Sequence, residues 1–282
     1  RPTYTETEND LTVKANKRTF IFSKKDGQLK GVSVDNRKIS FANGPRFIGA
    51  RRADRSLDQF YNHDDEKAKE KDRTYSEFPD AAVFTKLDVK QDGGDLIVTA
   101  NYKLGNLDKA QWTISPSGDL VLDYTYNFSG VVDLMGIRFD YPEDQVISKR
   151  WLGAGPYRVW QNRIHGTQYD VWENDYNDPI PGETFTYPEF KGYFGDVSWM
   201  NIQTKEGTIS LTNETPDAYI GVYQPRDGRD RLLYTLPESG ISVLNVIPPV
   251  RNKVNSTDLC GPSSQPKWVN GPQTGRVIFR FM

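Results

Sequence analysis

Tyr157, Trp160 and Arg163 follow directly on the turn-forming run Gly153-Ala154-Gly155-Pro156. Gly153 and Gly155 permit positive φ or a close backbone approach, and Pro156 fixes the direction in which the chain leaves. Such a turn can present aromatic faces and a guanidinium to a sugar or to a second domain. It can equally be a rigid connection whose tryptophans fill a core. His165 comes two residues after Arg163. With Tyr157, Asn162 and Arg163 it supplies what β-elimination from a uronate needs: a Tyr and a His for proton transfer, and Asn or Arg to neutralise the carboxylate. Sugar-ring epimerisation needs a His acid and a Glu base, and the chain has two histidines, His63 and His165. The ordinary alternative for both is a surface or core hydrogen-bonding role.

The carboxylates offer less. Asp170, Glu173, Asp175 and Asp178 lie in one polar stretch, expected to be a solvated loop, with no apolar flank to raise a pKa. A retaining glycosidase needs two carboxyls about 5–5.5 Å apart, one of them pushed toward neutrality. The stretch is oxygen-rich enough for calcium, but it lacks the spaced Gly and final Glu of an EF-hand loop. No cofactor is expected beyond that. The single cysteine, Cys260, excludes an internal disulfide and a multi-cysteine metal site, and no His stands near it in sequence. Sequons at Asn127, Asn213 and Asn255 are of a kind frequent by chance and carry no inference.

The elements that must position these residues read as strands. Leu11, Val13 and Ala15 alternate with polar residues, Phe20 and Phe22 follow, and Val32 and Val34 come after the turn Lys25-Asp26-Gly27-Gln28. The form recurs around Gln91-Asp92-Gly93-Gly94-Asp95 and around Ser115-Pro116-Ser117-Gly118-Asp119, after which Leu122, Tyr124 and Tyr126 share a face. Arg276–Phe281 reads as a closing strand. Helical periodicity is scarce, and Asp64–Arg73 is a short helix or a solvated loop. Residues 40–80 should be a long polar excursion, and residues 151–196 a second one rich in Gly, Pro and aromatics. No linker or repeat divides the chain, so residues 1–282 are expected to form a single all-β domain.

The 282 residues suffice for a large core, and a formal net charge of -2 argues against a basic nucleic-acid surface. No apolar run approaches the ~20 residues of a membrane span, and no signal peptide is visible. The chain opens at Arg1 without a Met, which reads as a mature or trimmed fragment. A periplasmic or secreted setting would suit polysaccharide breakdown. Six tryptophans and fifteen tyrosines fit strand packing and also the flat faces on which sugars stack.

Residues Trp151-Leu152-Gly153-Ala154-Gly155-Pro156-Tyr157-Arg158-Val159-Trp160-Gln161-Asn162-Arg163 resemble the signature of the last domain of glycoside hydrolase family 2 β-galactosidases. The approach through Met135-Gly136-Ile137-Arg138-Phe139, Pro142 and Val146 is similar to that family, as are Tyr187–Gly192 and Asp196-Val197-Ser198-Trp199. Asn43-Gly44-Pro45 through Ala50–Asp54 resembles it loosely. Arg158, Trp160, Asn162 and Phe190 depart from the pattern, where the family has Glu, Tyr, Asp and Glu, so specificity for galactose does not follow. The resemblance implies a large antiparallel supersandwich of galactose-mutarotase-like type, with the two catalytic glutamates on a separate upstream barrel. It implies two partners, a carbohydrate and that catalytic domain. It also implies a loop near the C-terminus, here Asp258–Trp268, that carries a Trp to the sugar site. The expected carbohydrate-binding residues are then Tyr157, Trp160, Arg163, His165 and Trp268, acting by stacking and hydroxyl hydrogen bonding rather than acid–base chemistry. A self-sufficient lyase or epimerase, or a free-standing carbohydrate-binding module, are the alternatives on the same fold.

Overall fold

The computed structural model describes residues 1–52, 75–176, 192–223, 236–249 and 265–282. The first strands are β1 (Thr3–Glu6), β2 (Asp10–Ala15), β3 (Arg18–Ser23), β4 (Leu29–Val34), β5 (Arg37–Ile39), β6 (Ala42–Arg52) and the short β7 (Tyr75–Glu77). Next come β8 (Val83–Asp92), β9 (Asp95–Lys103), β10 (Leu107–Ile114), β11 (Leu120–Val132) and β12 (Leu134–Asp140). A single 3-10 turn, Glu143–Gln145, leads into β13 (Val146–Gly155) and β14 (Gln168–Asp175). The last strands are β15 (Trp199–Thr204), β16 (Gly207–Asn213), β17 (Tyr219–Val222), β18 (Ile241–Val246) and β19 (Lys267–Phe281). No helix among the described residues is long and apolar enough to cross a membrane.

These strands form two antiparallel sheets. The first runs β1-β2-β3-β4-β6-β12-β18-β17, with β5 beside β4 and β7 beside β6; the second runs β14-β13-β15-β16-β19-β11-β10-β9-β8. Alternation decides which residues meet between them. Leu11, Val13 and Ala15 are buried, as are Leu122, Tyr124 and Tyr126, while their neighbours face outward. At the centre Phe41 stacks on Phe139 at 4.7 Å, and Phe279 and Phe281 close on Phe41 at 5.1 and 5.3 Å.

Turn chemistry fixes the register. Gly27 sits at φ 75°, and the Ser23 N–H donates to Gln28 O at 2.9 Å across the β3–β4 turn. A Cβ on Gly27 would come 2.7 Å from the Phe84 ring, so only glycine fits. A polar pin joins the sheets elsewhere. Glu206, in the β15–β16 turn, accepts from the Ser40 hydroxyl at 2.6 Å, the Ser40 N–H at 2.9 Å and the Tyr141 hydroxyl at 2.9 Å. Burial alone would raise its pKa, but these bonds, with Lys38 nearby, hold the carboxyl below its usual value.

Two expectations change. The polar excursion over 40–80 begins and ends in strand where it is described: β6 occupies 42–52 and β7 75–77, because Phe47 faces the core while Arg46 beside it makes the segment look solvated. Residues 53–74, including Asp64–Arg73, lie outside the described residues. The closing strand begins at Lys267 rather than Arg276.

A second, smaller core lies apart from the first. Ile48, Ala50, Leu134, Leu244 and Ile247, on β6, β12 and the end of β18, are covered by Val159, Trp160 and Tyr193. These covering residues come from the segments around β13 and β15, which carries the functional argument to that end of the molecule.

Candidate functional site

The chain leaves β13 through a cis Gly155-Pro156 peptide. Trp172 of β14 lies across Gly155, where a Cβ would come 2.3 Å from the indole. The Trp172 indole N–H donates to Gln168 O at 3.1 Å, and that of buried Trp151 donates to Ala154 O at 2.9 Å. Beyond the turn, Val159 and Tyr193 exchange backbone bonds of 2.7 and 2.8 Å. Gln161 donates from its backbone to Pro248 O at 3.0 Å and from its side chain to Gln265 O at 2.8 Å. The loop is thereby tied to the start of β19.

The five expected carbohydrate-binding residues have different surroundings. Trp160 is 3% exposed and meets the Tyr193 ring edge-on at 5.6 Å. It takes the core-filling alternative, and its face is occupied. Tyr157 is half-buried and donates its hydroxyl to His165 O at 3.3 Å. Arg163 is half-buried, its N–H donating to Trp160 O at 2.9 Å, and His165 is exposed. Trp268 is 73% exposed. It stands on a two-stranded ribbon: β10 pairs with β11 only through Tyr126, and β16 with β19 only from Val277, so residues 127–132 and 267–272 pair with each other alone among the described residues. Phe128 anchors the ribbon's underside against Phe47 at 6.1 Å, while Trp268 pairs with Val131 on the other side.

The described part of the acidic stretch is strand rather than loop. Asp170, Glu173 and Asp175 belong to β14, the outermost strand of its sheet, and alternate faces keep Asp170 from converging with the other two. Asp178, His63 and Cys260 lie outside the described residues, as do residues 258–264 of the expected C-terminal loop. Among the described residues no group of three His, Cys, Asp or Glu side chains stands together so as to hold a metal ion.

One cluster escaped the sequence reading. Lys149 is fully buried on β13, its Nζ 4.6 Å from the Tyr176 ring centroid and 5.9 Å from that of Phe194. Arg158, where the β-galactosidase pattern has Glu, is 1% exposed and lies 5.8 Å from the same Phe194 ring. A charge in that position therefore acts inside the molecule rather than on its surface. Tyr176 donates its hydroxyl to Glu143 at 2.6 Å, and burial, then Glu143, push its pKa upward. The rings face the cations in the manner that offsets part of their desolvation. The signal was present: Lys149 shares the inward parity of Trp151 and Gly153.

The two sheets and their strand order define a galactose-mutarotase-like sandwich. The galactose 1-epimerase from Lactobacillus acidophilus NCFM has the same fold at 10% identity and a TM-score of 0.51, with 100% of this chain and 98% of that one covered. An aldose epimerase homologue from C. elegans aligns over 100% and 99% of the two chains at 8% identity and a TM-score of 0.39. An alpha-N-acetylgalactosaminidase from Bifidobacterium bifidum aligns over 96% of this chain and 36% of its own, at 12% identity and a TM-score of 0.44. The chain belongs to the beta-galactosidase small chain family, whose model matches residues 14–253. No curated protein matches it by sequence.

Proposed function

We propose that this chain is the accessory, non-catalytic domain of a β-galactosidase-like glycoside hydrolase, docking on a catalytic barrel and completing the rim of its sugar site. Family membership supports a carbohydrate-related role. The observation that carries the finer reading is Trp268, 73% exposed on a ribbon that projects beyond the neighbouring strands. An indole left in water on a supported ribbon is suited to stack on a pyranose or to bury itself against a second domain. Tyr157, Arg163 and His165 stand on the loop joined to the same end through Gln161 and Gln265, where they would offer hydroxyl-bonding groups. Carbohydrate and the catalytic domain are the partners, and the chain itself needs no cofactor.

In the assembled glycosidase this reading requires, Trp268→Ala should raise KM for an aryl β-galactoside about tenfold while the domain stays bound. Unchanged KM and kcat would contradict it. The epimerase reading keeps one specific support, the fold shared end to end with a galactose 1-epimerase. Against it, the one described histidine, His165, is exposed on a loop. Polarimetry of freshly dissolved α-D-galactose with the chain decides between them: accelerated mutarotation, lost in His165→Ala, would favour the epimerase.

A further inference from the structure

A cavity of about 250 Å³ opens between the segment entering β15 and the turn from β16 to β17, lined by Asp196, Val197, Glu214, Pro216, Asp217 and Ala218, with Asn213 and Thr215 behind them. Its floor is held rigid by its own polar groups. The Asn213 carboxamide donates to Val197 O and Thr215 O at 3.3 Å and accepts from the Thr215 N–H at 3.0 Å. The Thr215 hydroxyl donates to Arg276 O at 3.1 Å, and Glu214 lies 3.3 Å from the Arg276 guanidinium. Asp196 and Asp217 are exposed. Both act on Tyr219, whose hydroxyl pKa is raised by burial first and then by these two carboxylates.

A separate observation concerns the rim. Tyr169 of β14 is 59% exposed, yet its hydroxyl is joined to the Ser198 hydroxyl at 2.6 Å. Ser198 directly follows Val197 of the lining, and its carbonyl accepts from Asn213 at 2.9 Å. An exposed ring is thus fixed to the residue that follows the cavity lining rather than left to swing.

We propose that this cavity is a binding site for a neutral pyranose, with Tyr169 as the stacking face and Asp196 and Asp217 as acceptors for ring hydroxyls. Carboxylates at the mouth repel anionic ligands, and the hydroxyls of an uncharged pyranose can donate to both while its apolar face meets the tyrosine ring. The site is distinct from the Trp268 ribbon and does not depend on docking to a barrel.

The test is calorimetric and NMR titration of the full chain with D-galactose, D-glucose and methyl β-D-galactoside, and with D-galacturonate as the anionic control. A neutral sugar should bind with a dissociation constant of about 1 mM, as expected for so small a ligand. Tyr169→Ala should weaken it about tenfold and Asp217→Asn several-fold. Galacturonate should bind more weakly than galactose. Absence of saturable binding, or binding unchanged by both cavity variants at unaltered melting temperature, would overturn the proposal. So would binding abolished by Trp268→Ala, which would move the sugar to the ribbon while leaving the docking proposal intact.

Discussion

Trp160 and Trp268 belong to regions joined by a hydrogen bond, Gln161 to Gln265, yet their surroundings are opposite. The loop after β13 spends its tryptophan on the outer side of β6, β12 and β18, where Trp160 covers a core that the main sandwich does not reach. The ribbon of β11 and β19 spends Phe128 underneath and leaves Trp268 in water. A large aromatic is thus no guide to function by itself. What matters is whether the backbone that carries it has apolar surface beneath it to cover.

Truncations should separate the two regions by stability. Trp160→Ala empties a buried site and should cost about 3–5 kcal/mol, lowering the melting temperature by roughly 10 °C in a thermal scan. A loss as small as that of a surface residue would break the contrast. Gly155→Ala forces a Cβ into the Trp172 indole. It should cost about 1–3 kcal/mol and loosen the loop, seen as faster hydrogen exchange at Val159 and Tyr193.

Glu206→Gln serves as a pin remote from both regions. It should cost about 1 kcal/mol near neutral pH, less than a fully buried charged hydrogen bond because solvent reaches the carboxylate. The pH dependence has a definite sign. Since the folded pKa lies below the unfolded one, the stabilisation is complete above the unfolded value of about 4.3 and is lost as pH falls through the folded value. The wild-type and variant melting curves should therefore converge in acid. Trp268→Ala should have the smallest effect, within about 0.5 kcal/mol, because the residue is 73% exposed.

The sandwich was legible where local pattern and turn chemistry agreed. Leu11, Val13 and Ala15, and the Asp-Gly turns, each placed strands that tertiary packing then kept. The ends of strands were not legible. Gly271, Pro272 and Gly275 break the reading of β19, yet the strand runs through them because that stretch has β11 on one side and, among the described residues, no strand on the other, the setting in which a missing N–H is tolerated. Asp170, Glu173 and Asp175 looked like a loop for a similar reason: an outermost strand has little need of apolar residues. Trp160 could not be assigned from spacing, since a loop residue has no periodicity to show which way it points. Trp268 was singled out by family resemblance alone, and Lys149 was passed over although its parity was inward. The Tyr169–Ser198 contact joins residues far apart in sequence and left no local trace.

The central claim, that this domain serves a catalytic centre carried elsewhere, is tested most directly by turnover. The chain alone, at high concentration, would be assayed against a panel of aryl β-glycosides. The account predicts no hydrolysis above the buffer rate. Clear hydrolysis, abolished by substitution of a single carboxylate in this chain, would contradict it and assign the sandwich an active site of its own.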